Sequence, residues 1–112
     1  MDLYAEKFLE NLEKSEKKAA NTVEAYKRDL IDFDRFLSTK NSTLNKATNA
    51  DVVSYLLQLK KDGKSAATSN RKIASLRAFY AYIIGQGIMS DNPTKNIHKN
   101  LKSYLLTLKP LT

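Results

Sequence analysis

Between Gly63 and Gly85 the chain sets Ile73, Leu76, Tyr80, Ile83 and Ile84 at helical spacing. This apolar stripe constrains the fold more than any other feature, because a segment with one such face must bury it against partners. Gly63 and an N-cap Ser65 mark its start, and Gly85 and Gly87 its end, predicting a helix over about 66–84. Stepping about 100° per residue puts Lys64, Thr68, Arg71, Ser75 and Tyr82 together on the opposite side. That side carries cations and small hydroxyls and no acid, and such a face suits a phosphate backbone.

The partners of the stripe are helices too. A first helix is expected over about 2–18, with Leu3, Tyr4, Phe8, Leu9 and Leu12 inward and Lys14, Lys17 and Lys18 at its negative pole. Asn21 with Glu24 three residues on reads as a capping-box variant, with Thr22 an alternative N-cap. The second helix then runs to about Leu37 and stacks Tyr26, Leu30, Phe33 and Leu37. Its polar side begins basic at Lys27 and Arg28 and turns acidic at Asp29, Asp32 and Asp34, confining any phosphate face to its N-terminal half. Residues 38–46 read as a loop. Thr48 and Asp51 cap a third helix over about 49–61, carrying Val52, Val53, Leu56, Leu57 and Leu59, with Gly63 at its C′ position. Pro93, capped by Asn92 or Asp91, opens a short fifth turn to about Ile97. Residues 98–112 mix lysines with Leu101, Leu105, Leu106, Leu108 and Leu111; they either pack back on the bundle or lead to a further domain.

A chain of 112 residues with three Gly and two Pro leaves little room for strands and turns, so the expected class is all-α in one domain. It has no cysteine, hence no disulfide or thiolate metal site. No apolar run approaches the ~20 residues of a membrane helix, and the acid near the N-terminus is unlike a secretory leader. The expectation is a soluble cytoplasmic protein without membrane contact. The net charge of +7 suggests a polyanionic partner.

Signals of catalysis are nearly absent. His98 is the one histidine and stands in a lysine-rich tail, where a solvated side chain is the simpler reading. No cluster of His, Cys and carboxylates has metal-ligand spacing. Asp29 and Asp32 lie one turn apart, but a solvated or salt-bridged face explains them without a metal. Neither a glycine-rich phosphate loop nor a nucleophile with its base is present. No cofactor, no metal and no catalytic activity are expected of this chain.

The binding signals are better. Asn21 and Thr22 open one helix, with Lys18 before them and Arg28 one to two turns along. Ser65 and Thr68 open another, followed by Arg71, Lys72 and Ser75. Helix starts attract phosphate through free amides and the helix dipole, so two of them with adjacent cations make a two-point grip on a duplex. Arg71 could hold a phosphate or donate two hydrogen bonds to a guanine edge. Each small polar residue could also be only a cap. Arg77 is read as a structural ion pair, in one version with an aspartate of the second helix. Tyr82 faces outward, with a phosphate, a missing domain or solvent as its neighbour; nothing is placed to activate it as a nucleophile.

Three segments resemble a known family. Asn21-Thr22-x3-Tyr26-x2-Asp29-Leu30-x2-Phe33-x2-Phe36-Leu37 is similar to the first signature of the N-terminal core-binding domain of tyrosine recombinases, the phage-integrase and Xer-type enzymes. Ala47-Thr48-x2-Asp51-Val52-x2-Tyr55-Leu56 resembles the next. Gly63-x-Ser65-x2-Thr68-x2-Arg71-Lys72-x2-Ser75-Leu76-Arg77-x-Phe79-Tyr80-x-Tyr82, followed by Asn92-Pro93, resembles the last. The resemblance implies a SAM-like fold, a small orthogonal bundle of four main helices plus a short fifth. It implies one jaw of a clamp on duplex DNA, with the second and fourth helices against the major groove. The family's strand cleavage through a phosphotyrosine link belongs to a separate C-terminal domain, and no catalytic role is carried onto His98 or Tyr104.

The expected organisation is a DNA-binding domain over 1–97 and a linker over 98–112. The expected contacts are Lys18, Asn21, Thr22, Arg28, Lys64, Ser65, Thr68, Arg71, Lys72 and Ser75. The expected partners are double-stranded DNA, a C-terminal catalytic domain of the same protein, and other recombinase protomers on DNA. A helical protein–protein module with a basic face is the rival from another class; a free-standing helix-turn-helix repressor is a third.

Overall fold

A computed structural model describes residues 2–98 and 100–102, and the expectations for residues 103–112 lie outside them. Four helices carry the fold: α1 (Leu3–Lys14), α2 (Ala20–Ser38), α3 (Asn49–Lys61) and α4 (Ala66–Gly85). No strand occurs among the described residues. The expected short turn after Asn92 is present, and a further short element stands where a loop was expected. It is a 3-10 turn at Leu44–Lys46 inside the expected loop, where Leu44 inserts fully into the core. Residues 93–96 form the turn, with the Asn92 side chain accepting from the Thr94 amide at 2.9 Å, and helical residues begin at Ile97.

Local chemistry explains the boundaries. Asp2 caps α1 by accepting from the Tyr4 and Ala5 amides at 2.8 and 3.1 Å. That helix stops at Lys14, short of the expected Lys18. Lys17 takes φ +51, and the Lys18 amide turns back to the Leu12 carbonyl. Thr48 and Asp51 form a reciprocal capping box on α3. The helix ends with Gly63 at φ +80, while the Lys64 amide bonds the Leu59 carbonyl. A left-handed residue is needed there, which glycine adopts without strain. Ser65 caps α4 through the Thr68 amide at 3.1 Å.

α2 and α4 pack against each other, and each also touches α1 and α3. Ile73, Leu76, Phe79, Tyr80 and Ile83 are all buried. Phe8 meets Tyr26 and Phe79 edge to face at ring-centroid distances of 5.7 and 5.6 Å and tilts against Tyr82 at 5.7 Å. Aromatic pairs favour such offset or edge-on geometry. The Tyr80 hydroxyl donates to the Leu44 carbonyl at 2.7 Å, so the 3-10 turn is pinned to α4. Burial pushes the Tyr80 hydroxyl pKa far above the usual phenol range, helped by the Asp51, Asp2 and Asp34 carboxylates.

Candidate nucleic-acid interface

Two of the expected cap assignments change. Ala19, not Asn21 or Thr22, is the N-cap of α2, and no side chain caps that helix. Asn21 and Thr22 occupy the second and third helical positions, exposed beside uncapped amides. Alanines at 19 and 20 are compatible with helix, so the chain enters α2 before its first capping residue. Ser65 and Thr68 do open α4 as expected.

The larger correction concerns the polar side of α4. Arg71 is exposed, but Lys72 and Ser75 are buried, with 7% and 6% of their surface exposed. That side meets α2, whose Asp29 is 1% exposed. Arg71 Nη1 donates to both Asp29 oxygens at 2.8 Å. Ser75 Oγ donates to Asp29 Oδ2 at 2.6 Å. Lys72 Nζ lies 3.5 Å from Asp29 Oδ1 and 2.7 Å from Asp32 Oδ2. A buried carboxylate must be paired and hydrogen-bonded to stay charged, and here three side chains of α4 satisfy one acid of α2. A helical wheel separates polar from apolar faces, yet it cannot separate a polar interface from a solvated one.

Arg77 reverses in the opposite sense. It is exposed and forms no ion pair among the described residues; Arg71 and Lys72 take the aspartates instead. Tyr82 is half-buried against Phe8 rather than fully outward.

A shallow groove of about 350 Å³ runs between the first half of α2 and that of α4. Asn21, Thr22, Arg71 and Ser75 line it together, with Asp29 at its base and small Ala25 and Ala74 between. The guanidinium of Arg71 is half exposed even though Asp29 holds it. Lys18 and Arg28 are exposed and unpaired among the described residues, though Glu24 shares the outer side of α2. Lys64 lines a separate groove of about 310 Å³ with Leu56, Leu57, Lys60 and His98, between α3 and α4. Of the expected contacts, Asn21, Thr22, Arg71 and Ser75 line the α2–α4 groove and Lys64 lines the α3–α4 groove.

Sequence reasoning allowed a salt-bridged Asp29 but missed its burial, and it missed the role of Asn49. Asp29 sits three residues after Tyr26 and four before Phe33, which places it at the edge of the apolar stripe of α2. That position was the available signal of burial. Asn49 Nδ2 donates to the carbonyls of Pro93 and Lys95 at 3.0 and 2.9 Å, and its Oδ1 accepts from Asn100 Nδ2 at 2.7 Å. No local pattern announces a contact across more than forty residues. Among the described residues no group of His, Cys, Asp and Glu is arranged for a metal. No helix there is long and apolar enough to cross a membrane.

Fold and groove together define an all-helical domain with a polar, arginine-bearing seam between two helices. Residues 5–87 match the model of the phage integrase N-terminal SAM-like domain, and the chain belongs to that family. It is 37% identical over 91 residues to tyrosine recombinase XerD of Rhizobium meliloti, covering 81% of this chain and 29% of the relative. It is 35% identical over 89 residues to XerD of Agrobacterium fabrum, covering 80% of this chain and 27% of that protein. Tyrosine recombinase XerC of Listeria monocytogenes is 38% identical over 89 residues, 79% of this chain and 30% of its own length. The chain thus spans under a third of these relatives. No solved structure matches it significantly.

Proposed function

We propose that this chain is the core-binding part of a tyrosine recombinase and grips duplex DNA at the recombination site through the α2–α4 face. The α2–α4 groove carries the reading, since it gathers Asn21 and Thr22 at the start of α2 with the half-exposed Arg71 of α4. Lys18, Asn21, Thr22, Arg28, Ser65, Thr68 and Arg71 supply the contacts, and Lys64 adds one from the adjoining α3–α4 corner. Lys72 and Ser75, being buried, act from beneath by holding Asp29. Strand cleavage, in this reading, belongs to a catalytic domain of the same protein, and recombination to several protomers assembled on DNA in the cytoplasm. The names of the relatives support that context.

Binding of the chain to a mixed-sequence duplex tests the proposal. Four exposed cations at phosphates, Lys18, Arg28, Lys64 and Arg71, give a salt slope of about −3.6. Affinity then falls about a hundredfold between 50 and 200 mM salt. A complex indifferent to salt, or no complex at low salt, contradicts the reading.

A further inference from the structure

We propose that Asp29 is a positioning residue for Arg71, one that aims the guanidinium at the mouth of the α2–α4 groove while weakening the raw attraction of that groove for phosphate. The role rests on the DNA reading above. An acid beneath a phosphate-binding face is costly for affinity. Like charges repel, and about 4 Å of separation in water is worth roughly a fivefold change per unit charge. A neutral residue at position 29 would bind polyanions more strongly. What the carboxylate supplies is orientation. It is 1% exposed and fixed by Ser75 Oγ at 2.6 Å, by Lys72 at 3.5 Å and by its own helix.

Arg71 gives one nitrogen, Nη1, to both oxygens of this fixed acid. Its Nε and Nη2 have no partner among the described residues. An arginine has five donors in a rigid planar fork. Pinning one corner leaves an edge with two parallel N–H groups, the pattern that suits a phosphate or a guanine edge. A free surface arginine would sample many rotamers and lose that order on binding. Here the ordering is already present in the folded domain, and preorganisation of this kind cuts the ordering cost of binding. Asp32 completes the arrangement by drawing Lys72 away from Asp29, at 2.7 against 3.5 Å, which leaves Arg71 and Ser75 as its close donors.

The test compares the unchanged 112-residue chain with Asp29→Asn and Arg71→Gln on a mixed-sequence duplex across a salt series. Side-chain NMR of Arg71 and thermal unfolding are recorded in parallel. With Asp29→Asn, affinity at low salt rises about fivefold, while the salt slope stays near about −3.6 because the same four cations meet phosphates. The Arg71 Nη resonances, separate in the unchanged chain because rotation is hindered, merge. With Arg71→Gln the slope becomes shallower by about 0.9.

A merely structural Asp29 predicts the reverse, affinity lost in step with the folded fraction, and that result overturns the proposal. Arg71 resonances equally mobile in both chains overturn it while leaving the DNA reading intact. Failure of the unchanged chain to bind any duplex removes the DNA reading itself. Should Asp29→Asn not fold, the unchanged chain decides the matter: separate Arg71 Nη resonances support the proposal, and merged ones, showing free rotation against Asp29, overturn it.

Discussion

Replacing Asp29 with alanine should be the most destabilising single change on the polar side of the domain. Asp29 is 1% exposed and satisfies three donors of α4. Its loss leaves those donors unequal. Arg71 is half exposed and rehydrates, so its share is small. Ser75 Oγ is buried and loses its acceptor, an outlay of about 1 kcal/mol or more. Lys72 is 8% exposed and keeps only Asp32, itself 45% exposed. Removing one partner of a buried pair costs about 3–5 kcal/mol, and the surviving Asp32 contact sets the expectation at the low end, about 3 kcal/mol in all. With about 2.1 cal/mol/K of unfolding entropy per residue, that lowers Tm by about 12 °C. Urea unfolding followed by helical circular dichroism measures it, with the denaturant slope unchanged if only the folded state is affected. Arg71→Ala, by contrast, should cost under about 1 kcal/mol. A loss below about 1 kcal/mol for Asp29→Ala, or equal losses for the two variants, would refute the reasoning that burial makes Asp29 the keystone of this seam.

Three further outcomes are expected. Thr48→Ala removes the acceptor for the Asp51 amide and should lower stability by about 1 kcal/mol, read from the same urea curves. Burial, then the Asp32 and Asp29 carboxylates, drive the Tyr55 hydroxyl pKa far up, as burial does for Tyr80. Both folded-state values lie above the unfolded value of about 10, so stability falls as pH rises past that point. In an alkaline titration these two phenols should ionise only as helical dichroism is lost. Burial, and then the neighbouring Asp2 carboxylate, raise the pKa of Asp34. The folded state therefore holds that proton more tightly, and stability declines as pH climbs through the raised value. Asp34→Asn should stabilise the domain at neutral pH, an advantage that fades on acidification, as thermal melts across a pH series will show.

Much of the helical frame could be read from the residues because its signals are local. Gly63, Ser65 and the Thr48–Asp51 pair marked the ends of α3 and the start of α4 by chemistry confined to a few residues. The four-three-four spacing of Tyr26, Leu30, Phe33 and Leu37 marked the inner side of α2, although Tyr26 is only partly buried. Three features escaped for physical reasons. The start of α2 lies at alanines, which permit a helix without announcing one. The left-handed turn at Lys17 has no glycine to signal it. The burial of Lys72 and Ser75 depends on an acid more than forty residues away on another helix. A pattern of charge along one helix shows which residues are polar; only the packing shows whether water or a neighbour satisfies them.

The central claim is that the α2–α4 face meets duplex DNA. Amide chemical shifts recorded while a mixed-sequence duplex is titrated into the isotopically labelled chain at low salt test it most directly. The account predicts that perturbations concentrate at residues 18–28 and 64–75 and fade as salt is raised. Perturbations confined to the α3–α4 groove around Leu57, Lys60 and His98, or none at low salt, would contradict it.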